Sequence, residues 1–338
     1  MKLMKEAKNI AVVGATGLVG KTFLKLLESD HFLDSDIHLL ASKKSEGKEV
    51  TFRNSNHIVG CLDNFDFSKV DLAFFSAGSE TAKEYAPKAV EQGCFVVDNS
   101  SCFRKDKNIP LIVPEVNAEA LLDYSMPGIV ANPNCSTIQM LVALKPLHDL
   151  FNINRIDVTT FQAVSGTGKL AQEELKLQIK QELQGEKTYS NIYAKQIAFN
   201  ALPHCGDFQE NSYAFEEMKM VWETHRILDP NIEIAATCVR VPVMNGHSES
   251  VHIETTEQIN IDIVKDSLNE AKGIKLAYGE GSESYETAIE IDGTDLVHVG
   301  RLRMDLWNTK RLNLWIVADN LRKGAALNSI QIAEILFV

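Results

Sequence analysis

Asn9-Ile10-Ala11-Val12-Val13-Gly14-Ala15-Thr16-Gly17-Leu18-Val19-Gly20 is the stretch that decides the fold. It opens with an apolar, β-branched run of the kind that forms a buried strand. Glycines follow at 14, 17 and 20, and Thr22 to Leu27 resumes with apolar residues at helical spacing. Strand, glycine turn and helix in that order form the first unit of a doubly wound sheet. Glycine allows the tight turn, the close approach of backbone to a pyrophosphate, and close packing of helix on strand. The helix N-terminus then offers amides to phosphate oxygens. The spacing is G-x-x-G-x-x-G rather than G-x-G-x-x-G. The strand before and the helix after therefore argue for a dinucleotide, against a glycine turn that merely packs a helix on a sheet.

Reading outward, Ile37 to Ala41 forms the second strand. An NAD site usually ends that strand in an acid that holds the ribose hydroxyls. Here the end reads Ala41-Ser42-Lys43-Lys44-Ser45-Glu46-Gly47-Lys48. Hydroxyls and ammonium groups suit a 2′-phosphate, so NADP(H) is the expected cofactor; a solvated lysine loop is the plain alternative. Val70 to Ser76 reads as a buried strand, Thr81 to Gln92 as a helix with a kink or boundary at Pro87, and Cys94 to Val97 as a further strand. The last ends in Asp98-Asn99-Ser100-Ser101-Cys102-Phe103-Arg104, polar residues where an open α/β sheet binds ligands. Val113 to Asn117 reads as a loop, and Ile129 to Ala131 as a strand. This alternation predicts an α/β, doubly wound domain.

The length of 338 residues exceeds one ordinary core and predicts two domains. Net charge is 34 − 46 = −12, which argues against binding a nucleic-acid backbone. No apolar run reaches membrane-spanning length, and Met1-Lys2-Leu3-Met4-Lys5-Glu6 lacks the apolar stretch of a signal peptide. The cysteines at 61, 94, 102, 135, 205 and 238 form neither a C-x-x-C pair nor a zinc-like pattern. No metal is expected, and a reducing cytoplasm is.

A second stretch, Ala131-Asn132-Pro133-Asn134-Cys135-Ser136-Thr137, carries the chemistry. Asn132-Pro133 marks a turn, and Ile138 to Leu150 is apolar at helical spacing. Cys135 is thus predicted at a helix N-terminus, where unpaired amides favour a nucleophilic thiolate. A small buried hydrophobe is the alternative. Beyond it the texture changes. Ile156 to Val164 reads as a strand, Lys169 to Leu183 and Tyr213 to Leu228 as helices, and Gly185 to Pro203 as irregular. Ile232 to Val243, Glu249 to Thr256, Leu296 to Met304 and Leu312 to Asp319 read as long strands, predicting a mostly antiparallel sheet. Leu321 to Leu336 reads as an amphipathic helix returning to the first domain.

The ordered motifs GATGLVG (14–20), LASKKSEGK (40–48), FFSAGS (74–79), DNSSCFR (98–104), VPEVN (113–117), ANPNCST (131–137), QAVSGTG (162–168), EEMK (216–219), RVPV and GHSES (240–250) and NLRKGAALN (320–328) run nearly end to end. With them the chain resembles the aspartate-β-semialdehyde dehydrogenases. The resemblance implies a Rossmann-like dinucleotide-binding domain (1–134 plus 320–338) and an α+β catalytic and dimerisation domain with a largely antiparallel sheet (135–319). It implies reductive dephosphorylation of L-aspartyl 4-phosphate by NADPH to L-aspartate 4-semialdehyde, feeding lysine, threonine, methionine and diaminopimelate synthesis, in a homodimer.

Residue roles follow from the same resemblance. Cys135 matches the nucleophile that forms a thioester, and His247 the acid/base, whose ordinary pKa of about 6.5 suits proton traffic at neutral pH. Gln162 orients the substrate. Arg240 binds the α-carboxylate, for which a planar guanidinium is suited. Glu216 and Lys219, three apart on one helix face, meet the ammonium and the phosphate. Arg104 and Asn134 complete the phosphate site. Gly14, Thr16, Gly17, Leu18, Val19, Ser42, Lys44, Ser45, Ser165, Gly166 and Asn320 contact the cofactor. Lys44 stands where the family commonly has arginine, which keeps the charge and loses the fork. Cys102 stands where relatives often carry a small residue. Among rivals, N-acetyl-glutamyl-phosphate reductase binds an uncharged nitrogen that gives Glu216 nothing to neutralise. Glyceraldehyde-phosphate dehydrogenase differs in glycine spacing, and a non-catalytic dinucleotide binder would have no need of Cys135, Gln162, Arg240 and His247 together.

Overall fold

Burial on both faces places β1 (Asn9–Val13) in the middle of a six-stranded parallel sheet. In the computed structural model, which describes residues 7–28, 32–122, 124 and 127–337, the chain divides into two units: residues 1–134 with 325–338, and residues 135–324. Met1 to Glu6, read above for a leader, lie outside the described residues.

The first unit continues with α1 (Leu18–Leu26), β2 (Asp36–Ala41), the hairpin β3 (Glu49–Phe52) and β4 (Ser55–Ile58), β5 (Gly60–Cys61), β6 (Leu72–Phe75), α2 (Ser79–Glu91), β7 (Phe95–Asp98), α3 (Pro114–Asn117) and β8 (Ile129–Ala131). The sheet order is β5-β2-β1-β6-β7-β8, and every pairing is parallel. Alternation along β1 divides the core. Ile10 and Val12 pack with Phe23, Phe74 and the C-terminal helix (Leu327–Leu336); Ala11 and Val13 pack with Phe75, Ala82 and Ala86. Phe23 and Phe74 stack with ring centres 4.6 Å apart.

One expectation needs correction here, one is narrowed, and one element was not expected. Val113 to Asn117 is not all loop, since Pro114 opens a single helical turn, a position that tolerates its missing N–H. The α2 helix runs through Pro87 to Glu91. The crossover between β2 and β5 carries the unanticipated β3–β4 hairpin. Its turn residues Arg53 and Asn54 have φ of 48° and 58°, and the Arg53 guanidinium is held by the carbonyls of Leu27, Phe32 and Ser35.

The second unit comprises α4 (Cys135–Phe151), β9 (Ile153–Gln162), α5 (Lys169–Leu183), α6 (Phe215–Ile227), β10 (Glu233–Arg240), β11 (His247–Thr255), α7 (Ile261–Glu270), β12 (Ile274–Leu276), β13 (Val297–Met304) and β14 (Arg311–Ala318). The order is β10-β9-β11-β14-β13-β12. The three central pairings are antiparallel and both edge pairings are parallel, so the sheet is mixed. Parallel neighbours require crossovers, and α5 with α6 supplies the one from β9 to β10. The α4 helix lies on one face of this sheet, against β9, β11, β13 and β14. That face is apolar along most of β9 and turns polar at Thr160 and Gln162.

The second unit ends at Gly324, not at Asp319. Two side chains explain the shift. The Asp319 carboxylate accepts the N–H groups of Gly293, Leu321 and Arg322, and Asn320 Oδ1 accepts Ser165 Oγ and Gly246 N. Residues 322–326 then form a π-helical turn, so the last helix begins at Leu327 rather than Leu321.

Candidate active site

Cys135 is the first residue of α4 and is partly exposed, while Ser136 beside it is fully buried. At that end of a helix the unsatisfied amides stabilise negative charge, which favours thiolate. Gln162, at the end of β9, donates from Nε2 to Ser136 Oγ at 3.0 Å and to Thr160 Oγ1 at 3.3 Å. The strand end is thereby tied to the turn that carries the thiol. Gly324 approaches from the other side: a Cβ added there would lie 2.8 Å from the Cys135 Cβ. Only glycine fits without moving the nucleophile.

The next residue, Ala163, organises the rest through its backbone. Its N–H donates to His247 Nδ1 at 3.1 Å, and its carbonyl accepts Arg240 Nη1 at 2.6 Å. Both side chains converge on Gly166, where an added Cβ would lie 3.1 Å from Arg240 Nη1 and 3.2 Å from His247 Nε2. His247 is fully buried, and burial pushes its pKa from 6.5 down to about 3, with Arg240 acting in the same sense and Glu216 opposing. The near-neutral value expected from sequence is therefore not met, because the ring is out of water beside a cation. An imidazole that accepts an N–H at Nδ1 carries its proton on Nε2. Among the described residues, His247 Nε2 and Arg240 Nε are buried with no hydrogen-bond partner. Buried polar groups in native proteins are nearly always satisfied, so the unsatisfied His247 Nε2 at Gly166, with Arg240 Nη1 beside it, marks a place for ligand oxygens.

Asn320 reaches this cluster from the far end of the unit. By taking both Ser165 Oγ, at 3.1 Å, and Gly246 N, at 2.9 Å, its side-chain carbonyl fixes the turn before His247 to the turn after Gln162. On α6, Glu216 and Lys219 pair with each other at 2.8 Å. That helix is anchored by Glu217, whose carboxylate accepts Ala214 N and Cys238 N.

In the first unit Gly14 has φ of +91°, and a Cβ there would meet the Ser76 carbonyl oxygen at 2.7 Å. Gly14 N donates to Leu40 O and Gly17 N to Gly14 O, which closes the turn through Thr16 ahead of Leu18 and Val19. Ser42 precedes a 3-10 turn over Lys43–Ser45, all exposed except Ser45, which is partly buried. No carboxylate occupies the end of β2. These features fit a dinucleotide. Asp98, buried at the end of β7, holds Ser100 through both carboxyl oxygens, and burial raises its pKa against those bonds and Arg104. Arg104 donates to Asn99 O at 2.8 Å, and Asn134 is buried at the end of the unit's first segment. Burial and Asp98 raise the Cys102 thiol, which disfavours its reactive form.

Sequence reading assigned no role to Ala163, Ser136, Gln139, Glu249 or Gly324. Ala163 acts through backbone atoms and left no signal in a side chain. Gln139 lies one helical turn after Cys135, and Glu249 lies two strand residues after His247; those spacings were the available signals. No group of three or more His, Cys, Asp or Glu among the described residues is arranged to hold a metal, and no described helix is long and apolar enough to cross a membrane.

Residues 9–124 match the family model "Semialdehyde dehydrogenase, NAD binding domain", and residues 144–323 match "Semialdehyde dehydrogenase, dimerisation domain". The chain is 53% identical over 335 residues to the aspartate-semialdehyde dehydrogenase of Legionella pneumophila, covering 98% of this chain and 96% of that one. It is similar to the crystal structure of aspartate semialdehyde dehydrogenase II from Vibrio cholerae complexed with ASA, at TM-score 0.94, 48% identity and 97% coverage of each chain. A Candida albicans aspartate semialdehyde dehydrogenase with NADP superposes at TM-score 0.73, 26% identical over 97% of this chain and 98% of that one.

Proposed function

Because the chain belongs to the aspartate-semialdehyde dehydrogenase family, we propose that it reduces L-aspartyl 4-phosphate to L-aspartate 4-semialdehyde, reversibly, through a thioester on Cys135. The observation that carries this reading is the pair of buried groups at Gly166, Arg240 Nη1 and the unsatisfied His247 Nε2, in the unit whose helix begins with Cys135. A fixed guanidinium suits the substrate α-carboxylate, and a neutral Nε2–H suits an oxyanion.

The Cys135 thiolate adds to the acyl carbon. Collapse of the tetrahedral adduct breaks the bond to the phosphate oxygen and leaves a thioester; the proton given up by the thiol ends on the departing phosphate. NADPH, when bound, supplies the hydride that reduces the acyl carbon. The oxyanion so formed accepts a hydrogen bond from His247 Nε2–H, and cleavage of the C–S bond releases the aldehyde and regenerates thiolate, which solvent reprotonates. In this scheme His247 stays neutral. Gln162 keeps the acyl carbon beside the thiol, a role that its bond to Ser136 Oγ, next to Cys135, supports. Glu216 receives the substrate ammonium and Lys219 the phosphate, so substrate takes over a pair that the free protein closes on itself. Arg104 and Asn134 supply the remaining phosphate contacts.

The glycine turn and the Ser42–Ser45 loop hold the cofactor, with Lys44 on the 2′-phosphate; Ser165, Gly166 and Asn320 lie toward the nicotinamide. The NADP-bound Candida relative supports this choice of cofactor. A homodimer in the cytoplasm, serving lysine, threonine and methionine synthesis, completes the reading, and the match to a dimerisation domain supports the dimer. The test is phosphate-dependent reduction of NADP by aspartate semialdehyde. The reading predicts turnover in wild type, and in C135A none, with NADP binding retained. Turnover by C135A, or none by reduced wild type, would overturn it.

A further inference from the structure

Glu249 is a carboxyl group that the proposed chemistry leaves idle. It follows His247 by two residues on β11, so both side chains fall on the buried face of the sheet. It is fully buried, and among the described residues neither carboxyl oxygen has a hydrogen-bond partner. Burial pushes its pKa well above the ordinary value, opposed only by the amide of Gln139. Burial of that kind favours the neutral acid, which has one O–H to give.

Gln139 is the complementary group. It lies four residues after Cys135 on α4, hence on the same helix face, and is fully buried. Its Nε2 donates to the carbonyl of His247 at 3.1 Å, and its Oε1 has no donor among the described residues. The Gln139 and Glu249 side chains lie beside each other, so an acceptor without a donor stands next to a carboxyl group that burial favours in its protonated form.

We propose that Glu249 is a positioning residue: as a carboxylic acid it donates to Gln139 Oε1, locks the Gln139 amide on the His247 carbonyl, and thereby fixes the Nε2–H that serves the reacting oxygen. Ala163 N–H then holds the ring of the histidine and Gln139 its backbone carbonyl. Because this rests on the reaction proposed above, the experiment carries a measurement independent of turnover.

Steady-state kinetics of phosphate-dependent aspartate semialdehyde oxidation are compared for E249Q, E249L and Q139L/E249L. An amide can still donate to Gln139 Oε1 and leucine cannot. E249L should lose about tenfold or more in kcat with KM within about twofold, and E249Q should restore kcat to within about threefold of wild type. The double variant should be no worse than E249L, since the two groups act as one unit. Wild-type kcat in E249L, or a loss in E249Q equal to that in E249L, overturns the proposal. The independent measurement is the infrared difference spectrum between wild type and E249Q at neutral pH. A protonated-carboxyl band lost in E249Q supports the neutral acid, and a carboxylate band lost instead overturns it, even in a protein with no turnover.

Discussion

His247 shows how far a residue's environment can move it from its usual chemistry. Its pKa falls to about 3 in the fold from 6.5 free, so between those values the unfolded chain binds the extra proton. Its contribution to stability is complete above about pH 6.5 and is lost as pH falls, at about 1.4 kcal/mol per unit. Urea melts at pH 7 and pH 5 should therefore show a smaller acid loss in H247N than in wild type; equal losses would mean that the ring is not held neutral. Glu249 has the opposite sign. Its raised pKa makes stability greatest below its unfolded value and lost as pH rises above about 4.5. E249Q should accordingly be more stable than wild type at pH 8 and not at pH 4, read by thermal melting. Sequence named Cys135 from its place at a helix start, and Gln162, Arg240 and His247 from the resemblance of the motifs that hold them. It missed what holds them, because Ala163 acts through backbone atoms and Gln139 with Glu249 meet only when helix and strand are packed.

At the scale of elements, strongly periodic segments were readable and weakly patterned ones were not. The helix read over Lys169 to Leu183 is α5 residue for residue. The β3–β4 hairpin escaped because most of its residues face solvent and its turn, Arg53-Asn54, lacks glycine. The α7 helix escaped although Asn260 caps it through the N–H groups of Asp262 and Ile263, since only Val264 and Leu268 are buried. The glycine turn makes a sharp prediction. A Cβ at Gly20 would lie 2.2 Å from the Gly14 carbonyl oxygen and 2.8 Å from the Ala15 Cα. Backbone must move to admit it, at about 1–3 kcal/mol, so G20A should melt earlier and bind NADP more weakly. Unchanged binding by calorimetry would detach the turn from the cofactor. In the Ser42–Ser45 loop, K44E should weaken NADP binding more than NAD binding; an equal effect on both would move the 2′-phosphate elsewhere.

At the scale of the molecule, two units each bury their own sheet, and the change of sequence texture after Cys135 announced the division. The return to the first unit could not be read to the residue, because Asp319 and Asn320 spend their side chains on Gly293, Leu321, Arg322, Ser165 and Gly246 within the second. The proposed reaction turns on one covalent intermediate, the aspartyl thioester on Cys135. Mixing the protein with aspartate semialdehyde and NADP in the absence of phosphate, with rapid quench and peptide mass spectrometry, tests it most directly. The prediction is a burst of one NADPH per chain, an aspartyl adduct on the peptide holding Cys135, and neither in C135A. NADPH formed without a burst or an adduct, or a burst that survives in C135A, would contradict it.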